Sequence, residues 1–197
     1  MLNTTAAEAT REDADIEELI DRGEQKRALN LLMERYGDRV YRFAHAMTRS
    51  AAAAEDVRQE VFIQAYRDLA RFERRAALRT WLFAIVRNRC LDFTKMQRRW
   101  WRRFKNDPPD EPELEPPDFD RGRITRLLAT CLEKLAPAAR EAVVLRYIEE
   151  LAYEEASAIT GDLAGTLQQR VGRALPVLRR CVDSKLRERT AVHGGSR

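Results

Sequence analysis

Residues Thr80–Lys105 read TWLFAIVRNRCLDFTKMQRRWWRRFK. In the first half, Trp81, Leu82, Ile85, Asn88 or Cys90, and Phe93 recur near helical spacing, with Arg87, Arg89 and Asp92 between them. That periodicity predicts an amphipathic helix with one packed face. The second half changes character. Lys95, Arg98, Arg99, Arg102, Arg103 and Lys105 occur without an acidic residue, and Trp100, Trp101 and Phe104 are interleaved with them. Cations attract phosphate, and flat rings stack on bases or wedge between them. A helix packed at one end and basic-aromatic at the other points to nucleic acid. The plainer alternative is a solvated basic face whose aromatics cover a neighbour.

Composition narrows the class. The chain has 197 residues, 35% charged and 44% hydrophobic, with eight glycines. It is long enough for one large domain or two small ones. The low glycine content and the lack of alternating β-branched runs predict an all-α protein. The net charge of +4 is mild, so its distribution along the chain matters more than its total. The acidic N-terminus, MLNTTAAEATREDADIEEL, lacks the apolar core of a secretory signal. The run WLFAIV is far too short to span a bilayer. These features predict a cytoplasmic protein without membrane insertion. Cys90, Cys131 and Cys181 form no CxxC pair, and His45 and His193 supply no zinc-site spacing. The cysteines are expected to be small buried apolar residues, with a redox role as the minor alternative, and no metal or cofactor is expected.

Outward from the opening stretch, residues 1–14 are polar and expected to fray. A short helix is predicted over Asp15–Arg22, closed by Gly23. Ala28, Leu31, Leu32, Tyr36, Val40, Phe43, Ala44 and Met47 predict one long helix over Glu24–Thr48, with a bend allowed at Gly37. Ser50 is the expected N-cap of a helix over Ala51–Leu69, whose buried face is Val57, Val61, Phe62, Ala65 and Leu69. Residues 106–120, NDPPDEPELEPPDFD, hold five prolines and seven acidic residues and no basic one. Such a segment cannot pack a core and predicts an extended acidic linker. It divides the chain into helical domains over 15–105 and 121–190, followed by a tail over 191–197. In the second domain a helix is predicted over Arg121–Lys134, and Pro137 suits the first turn of the next, to about Tyr147. Ala152–Ile159, a turn at Thr160-Gly161-Asp162, and a helix from Ala164 have the dimensions of a helix-turn-helix. Pro176 is expected to kink or stop the last helix.

At this point the residues resemble a family. YGDRVYRFAHAMTRSAAAAEDVRQEVFIQAYRDLARF and RTWLFAIVRNRCLDFTK look like conserved region 2 of the extracytoplasmic-function (ECF) sigma factors, the small two-domain class of the bacterial sigma-70 family. LAPAAREAVVLRYIEELAYEEASAITG followed by AGTLQQRVGRA resembles their region 4, in a more eroded form. The resemblance covers nearly all of residues 16–182. It implies binding of core RNA polymerase, recognition of promoter DNA at −10 and −35 elements, DNA opening, and control by an anti-sigma factor.

Carried over residue by residue, Asp56, Gln59 and Glu60 fall where the family meets core polymerase. Arg79, Arg87, Asn88 and Arg89 match the −10 region, and Trp81 falls where primary sigma factors place an aromatic wedge, with a core tryptophan as the alternative. The loop Phe72–Ala77 matches the segment that holds a flipped base and carries Arg74 and Arg75. Apart from the resemblance, the basic end of the helix, Arg98, Arg99, Arg102 and Arg103, is expected to add phosphate contacts. In region 4, Thr166, Gln168, Gln169 and Arg170 are the expected −35 readers, with the glutamines standing where the family usually has Lys-Ser, and Arg170 and Arg173 are expected to hold the DNA backbone. Leu163 stands at the usual cap position, unless Asp162 caps one residue early. The linker resembles a segment that follows the RNA exit path, against a plain solubilising spacer.

Other classes fare less well. Gly161–Gly165 lacks the lysine and spacing of a phosphate loop. Glu149-Glu150 and Glu154-Glu155 read as solvated pairs, and no nucleophile, base and orienting group can be assembled, so no enzyme is expected. A helix-turn-helix regulator would have no reason to carry the region 2 signatures. A sigma-like interaction protein with weakened −35 reading stays open.

Overall fold

The computed structural model describes residues 12–104 and 122–193, so the acidic linker expected over 106–120 lies outside the described residues. The described residues are helical, with no strand among them. The first domain comprises α1 (Ala14–Asp21), α2 (Gln25–Thr48), α3 (Ala51–Asp68) with a 3-10 turn at Leu69–Arg71, and α4 (Leu78–Phe104). The second comprises α5 (Gly122–Glu133), α6 (Pro137–Val143) continued by a π-turn over Val144–Ile148, α7 (Tyr153–Thr160) and α8 (Ala164–His193).

In the first domain, α2 buries Leu32, Tyr36, Val40 and Phe43, and α3 buries Val57, Val61, Phe62 and Ala65. Leu78, Leu82, Phe83, Val86 and Cys90 of α4 close the same core. These are the helical periods legible in the sequence. Each large side chain removed from water contributes about 1.5–3 kcal/mol before the entropy of ordering it. Gly37 leaves α2 unbroken. Arg49 ends α2 in the left-handed region, and Ser50 follows as the cap of α3, its Oγ accepting from the Ala53 N–H at 3.2 Å. Replacing Ser50 with alanine is expected to cost about 1 kcal/mol, read as a lower midpoint of chemical denaturation. An unchanged midpoint would mean that the cap is redundant.

The structure corrects the frayed N-terminus at its inner edge. Asp13 is buried, and its carboxylate accepts from the Tyr36 hydroxyl at 2.8 and 2.9 Å and from Arg35 at 3.0 Å. Burial raises the Asp13 pKa against the opposing pull of those donors. Residues 13 and 14 therefore belong to the first domain, with α1 held on α2.

In the second domain, Pro137 opens α6, as expected for a residue without an N–H to leave unpaired. Gly161, at φ 76°, makes the turn between α7 and α8 that a side chain would strain. Of the two outcomes expected at Pro176, a kink or a stop, the stop does not occur: the last helix runs through Pro176 and continues to His193, into the expected tail. The expectation for two of the cysteines fails. Cys131 and Cys181 are not independent apolar residues: they form a disulfide between α5 and α8, with Cα atoms 5.8 Å apart and a sequence separation of 50. Closing a loop of that length constrains the unfolded chain and contributes about 2–4 kcal/mol in the chain-entropy account. Cys90 is free and buried, and burial pushes its thiol pKa up to about 12.

The two domains pack on each other, α4 against α7 and α2 against α5 and α6. Among the described residues, no helix is long and apolar enough to cross a membrane.

Candidate nucleic-acid interface

On α3, Asp56, Gln59 and Glu60 are exposed, while Val57, Val61 and Phe62 beside them are buried. The helical period turns the acidic-polar set outward because the apolar set is drawn into the core. Ile63 and Tyr66, 53% and 37% exposed, continue the same stripe. The sequence reading passed over them, although their offsets of four and seven residues from Gln59 place them on one helix face. The whole strip offers a carboxylate-rich edge with apolar contact area at its end.

The basic candidates are distributed less simply. Asn88 and Arg99 are exposed. Of Arg98 only the backbone, within α4, is described. Arg89 donates to Gln64 at 2.8 Å. Trp81 is half-buried and packs on Phe72, ring centroids 5.3 Å apart, which ties the start of α4 to the preceding loop. Arg74, at φ 55°, is held by Asp21 at 2.6 Å and Glu17 at 3.0 Å, so α1 secures the loop that was expected to receive a base. Arg75 pairs with Glu73 and is otherwise in solvent.

Arg79 and Arg87 differ from the rest because they face the second domain. Arg79 is buried and pairs with Glu155 at 3.4 Å. Arg87 donates its Nε to Glu141 at 2.6 Å. Further along the seam, Arg39 lies over the rings of Tyr36 and Phe83. It gives its Nε to the Glu149 carboxylate at 2.9 Å and an Nη to the Glu149 carbonyl at 3.1 Å. Arg140, also buried, reaches back to the carbonyl of Ala46 on α2 at 3.0 Å.

The reading of Glu149 and Glu155 as solvated carboxylates is therefore wrong. Glu149 is fully buried, and burial raises its pKa. The π-turn places it there: its N–H bonds the carbonyl of Val144, five residues back. Glu155 accepts the Ala152 N–H at 2.8 Å with one oxygen, supporting the start of α7, and meets Arg79 with the other.

Among the described residues, the buried side-chain atoms without a hydrogen-bond partner are Arg79 Nε, Thr80 Oγ1, Arg140 Nε and Glu149 Oε1. Three of these residues make contacts between the domains, and Thr80 adjoins Arg79 in the chain. Each such atom costs about 1–3 kcal/mol relative to a satisfied one.

In the helix-turn-helix, Gln168, Gln169 and Arg173 are exposed on α8, and Thr166 and Arg170 are half-buried. Leu167 and Val171 between them are buried and fix which face is presented. Leu163, 77% exposed, stands where the cap was expected, and its carbonyl accepts from the Thr166 and Leu167 N–H groups. Asp162 does not act as a substitute cap: its carboxylate is held by Arg170, a bond that lowers the Asp162 pKa and raises that of Arg170. Arg170 is thus partly occupied within its own domain.

Residues 32–102 match the family Sigma-70 region 2, and residues 125–175 match Sigma-70, region 4. The first match contains α3 and all but the last two residues of α4, and the second contains α7 and the first part of α8, the helix-turn-helix. The ECF RNA polymerase sigma-E factor of Escherichia coli K12 is 30% identical over 194 residues, spanning 88% of this chain and 94% of that one. The chain belongs to the extracytoplasmic-function sigma factors. Its function is promoter recognition in transcription initiation.

The ECF sigma factor SigE of Mycolicibacterium smegmatis is 32% identical over 152 residues, 75% of this chain and 59% of that protein's length. Among solved structures, CnrH in complex with the cytosolic domain of CnrY aligns with a TM-score of 0.62 at 26% identity, over 89% of this chain and 98% of that one. Within this sigma factor, the carboxylates that meet the region 2 arginines had no signal of their own in the sequence. Glu141, Glu149 and Glu155 matter through partners 54 to 110 residues away.

Proposed function

We propose that this sigma factor docks on core RNA polymerase through the α3 strip of Asp56, Gln59 and Glu60. The observation that carries the reading is that strip: a polar, acidic edge left in solvent by a helix whose opposite face is fully spent on the core. In this reading the first domain, 15–105 with Asp13 and Ala14 added, supplies −10 contacts from Arg74, Arg75, Arg79, Trp81, Arg87, Asn88 and Arg89. Arg98 and Arg99 hold phosphates. The second domain, from about 121, reads the −35 element with Thr166, Gln168, Gln169, Arg170 and Arg173, and residues 106–120 link the two. The protein is a cytoplasmic binding factor rather than an enzyme. The structural likeness to CnrH, a protein solved in complex with the cytosolic domain of CnrY, supports a protein partner for this chain as well.

Glutamine can bond both N6 and N7 of adenine, a contact of about 1–3 kcal/mol when aligned. Transcription with purified core polymerase from a matched promoter tests the assignment. Scrambling the −35 element is expected to cut output about tenfold for the native chain and much less for Gln168→Ala with Gln169→Ala. Equal sensitivity in both proteins removes the glutamines as readers. Insensitivity in both makes the second domain a partner-binding module, the other reading, favoured by Asp162 holding the Arg170 guanidinium within the domain.

A further inference from the structure

The loop between α3 and α4 is tied down at two points, and one of them lies outside the helices it joins. Phe72 packs on Trp81 of α4. Arg74 is tied to α1 instead, by residues 53 and 57 positions away. Its Nε donates to the Glu17 carboxylate at 3.0 Å, and an Nη donates to Asp21 at 2.6 Å and to the Glu17 carbonyl at 3.3 Å. α1 is itself fastened to α2. Ile16 is fully buried, and Asp15 accepts two bonds from Arg35, at 2.7 and 2.9 Å. Arg74 stands at φ 55°, a backbone region that residues with a side chain rarely enter. Such a conformation persists where surrounding contacts fix it. Glycine would adopt the same φ freely but could not be tied to α1. Between and beyond the two ties, Glu73, Arg75 and Ala76 are exposed.

We infer, resting on the reading of this loop as a −10 contact, that α1 is a positioning element for −10 recognition: Glu17 and Asp21, through Arg74, set the shape in which the loop meets DNA. The Arg74 guanidinium is spent on α1, so its part in that contact is to place the backbone from which Glu73 and Arg75 project. A loop that reads a base must hold its donors and acceptors in a fixed arrangement, because small misplacements erase the difference between right and wrong base. Solvent-exposed ion pairs contribute little to stability, since water screens them and ordering two side chains costs entropy. Glu17, Asp21 and Arg74 therefore bear on selectivity at the −10 element far more than on the stability of the domain.

The test transcribes a DNA library randomised over the −35 and −10 elements, using the full chain with core RNA polymerase, and sequences the transcripts. For the native chain the base preference at the −10 position read by the loop is expected to be about tenfold. Glu17→Gln with Asp21→Asn is expected to reduce it to about twofold, leaving the −35 preferences, core affinity and thermal midpoint unchanged. Glu18→Gln with Glu34→Gln removes the same charge at exposed positions and is expected to keep the native preference. Arg74→Ala is expected to match the loss in the acid variant, and all three substitutions together to add nothing, because they act through one contact. A sharper preference once the acids are removed would make Arg74 a direct DNA contact and overturn the inference. An unchanged preference, or an equal loss in the exposed-charge control, overturns it too. So does a lowered midpoint with equal losses at both elements, which would make α1 a structural brace. Glu73→Gly, Arg74→Gly and Arg75→Gly combined test the loop itself. If they leave every −10 preference intact, the loop is not a reader and both readings fall; if they erase one that the acid variant keeps, the loop stands and the role of α1 falls alone.

Discussion

Gln59→Lys combined with Glu60→Lys is expected to weaken binding to core RNA polymerase by about thirtyfold or more, the size of a central interface contact of about 2 kcal/mol. The two substitutions change the local charge by three units on a strip proposed to face a basic partner, so attraction becomes repulsion. The fold should not register the change. Both residues are exposed, and the one bond to either is a long one, Gln59 to Glu55 at 3.4 Å. Val57, Val61 and Ala65, which hold α3 in place, point the other way. Fluorescence anisotropy with purified core measures the effect, and circular dichroism verifies that helicity is retained. Undiminished affinity would remove this face from the interface. The apolar extension, Ile63 and Tyr66, would then be the next place to look.

Phe43→Ala is expected to destabilise the first domain by about 3–5 kcal/mol, out of the roughly 5–15 kcal/mol typical of a whole domain. Phe43 is fully buried and meets Phe83 edge-to-face, with ring centroids 5.6 Å apart. Truncation leaves a cavity where α2 crosses α4, and a close-packed core collapses into it only partly. The effect reaches further than the first core. Phe83 is one of the two rings over which Arg39 lies before it meets Glu149, so the seam is built on the same aromatic pair. Chemical denaturation followed by circular dichroism gives the loss. A cost below about 1 kcal/mol would mean that the site collapses without penalty and that the aromatic pair is not what positions Arg39.

Much of this protein is written locally. The periods of α2, α3 and the first half of α4 follow from apolar residues three and four apart, because a helix repeats every 3.6 residues whatever it later packs against. Ser50 as a cap, Pro137 as a first-turn residue and Gly161 as a turn needed only their own neighbours to be read. The exposure of Asp56, Gln59 and Glu60 followed from the same periodicity once Val57, Val61 and Phe62 were placed inside. Pro176 does not stop α8, because proline's cost to a helix is a local preference and the buried Ala174, Leu178 and Cys181 keep the helix packed across it.

What the chain alone could not disclose is which distant residues meet. Asp13 became part of the core through Tyr36, 23 residues on, and Cys131 found Cys181 across 50 residues. Glu149 and Glu155 read as solvated because charged side chains ordinarily are. Their burial depends on arginines 110 and 76 residues away, brought to them by the packing of one domain on the other. Local sequence sets where a helix begins, ends and turns its apolar face. Which charge lies opposite which is decided only when those faces pack, because a Coulombic partner is defined by distance in space and leaves no period along the chain.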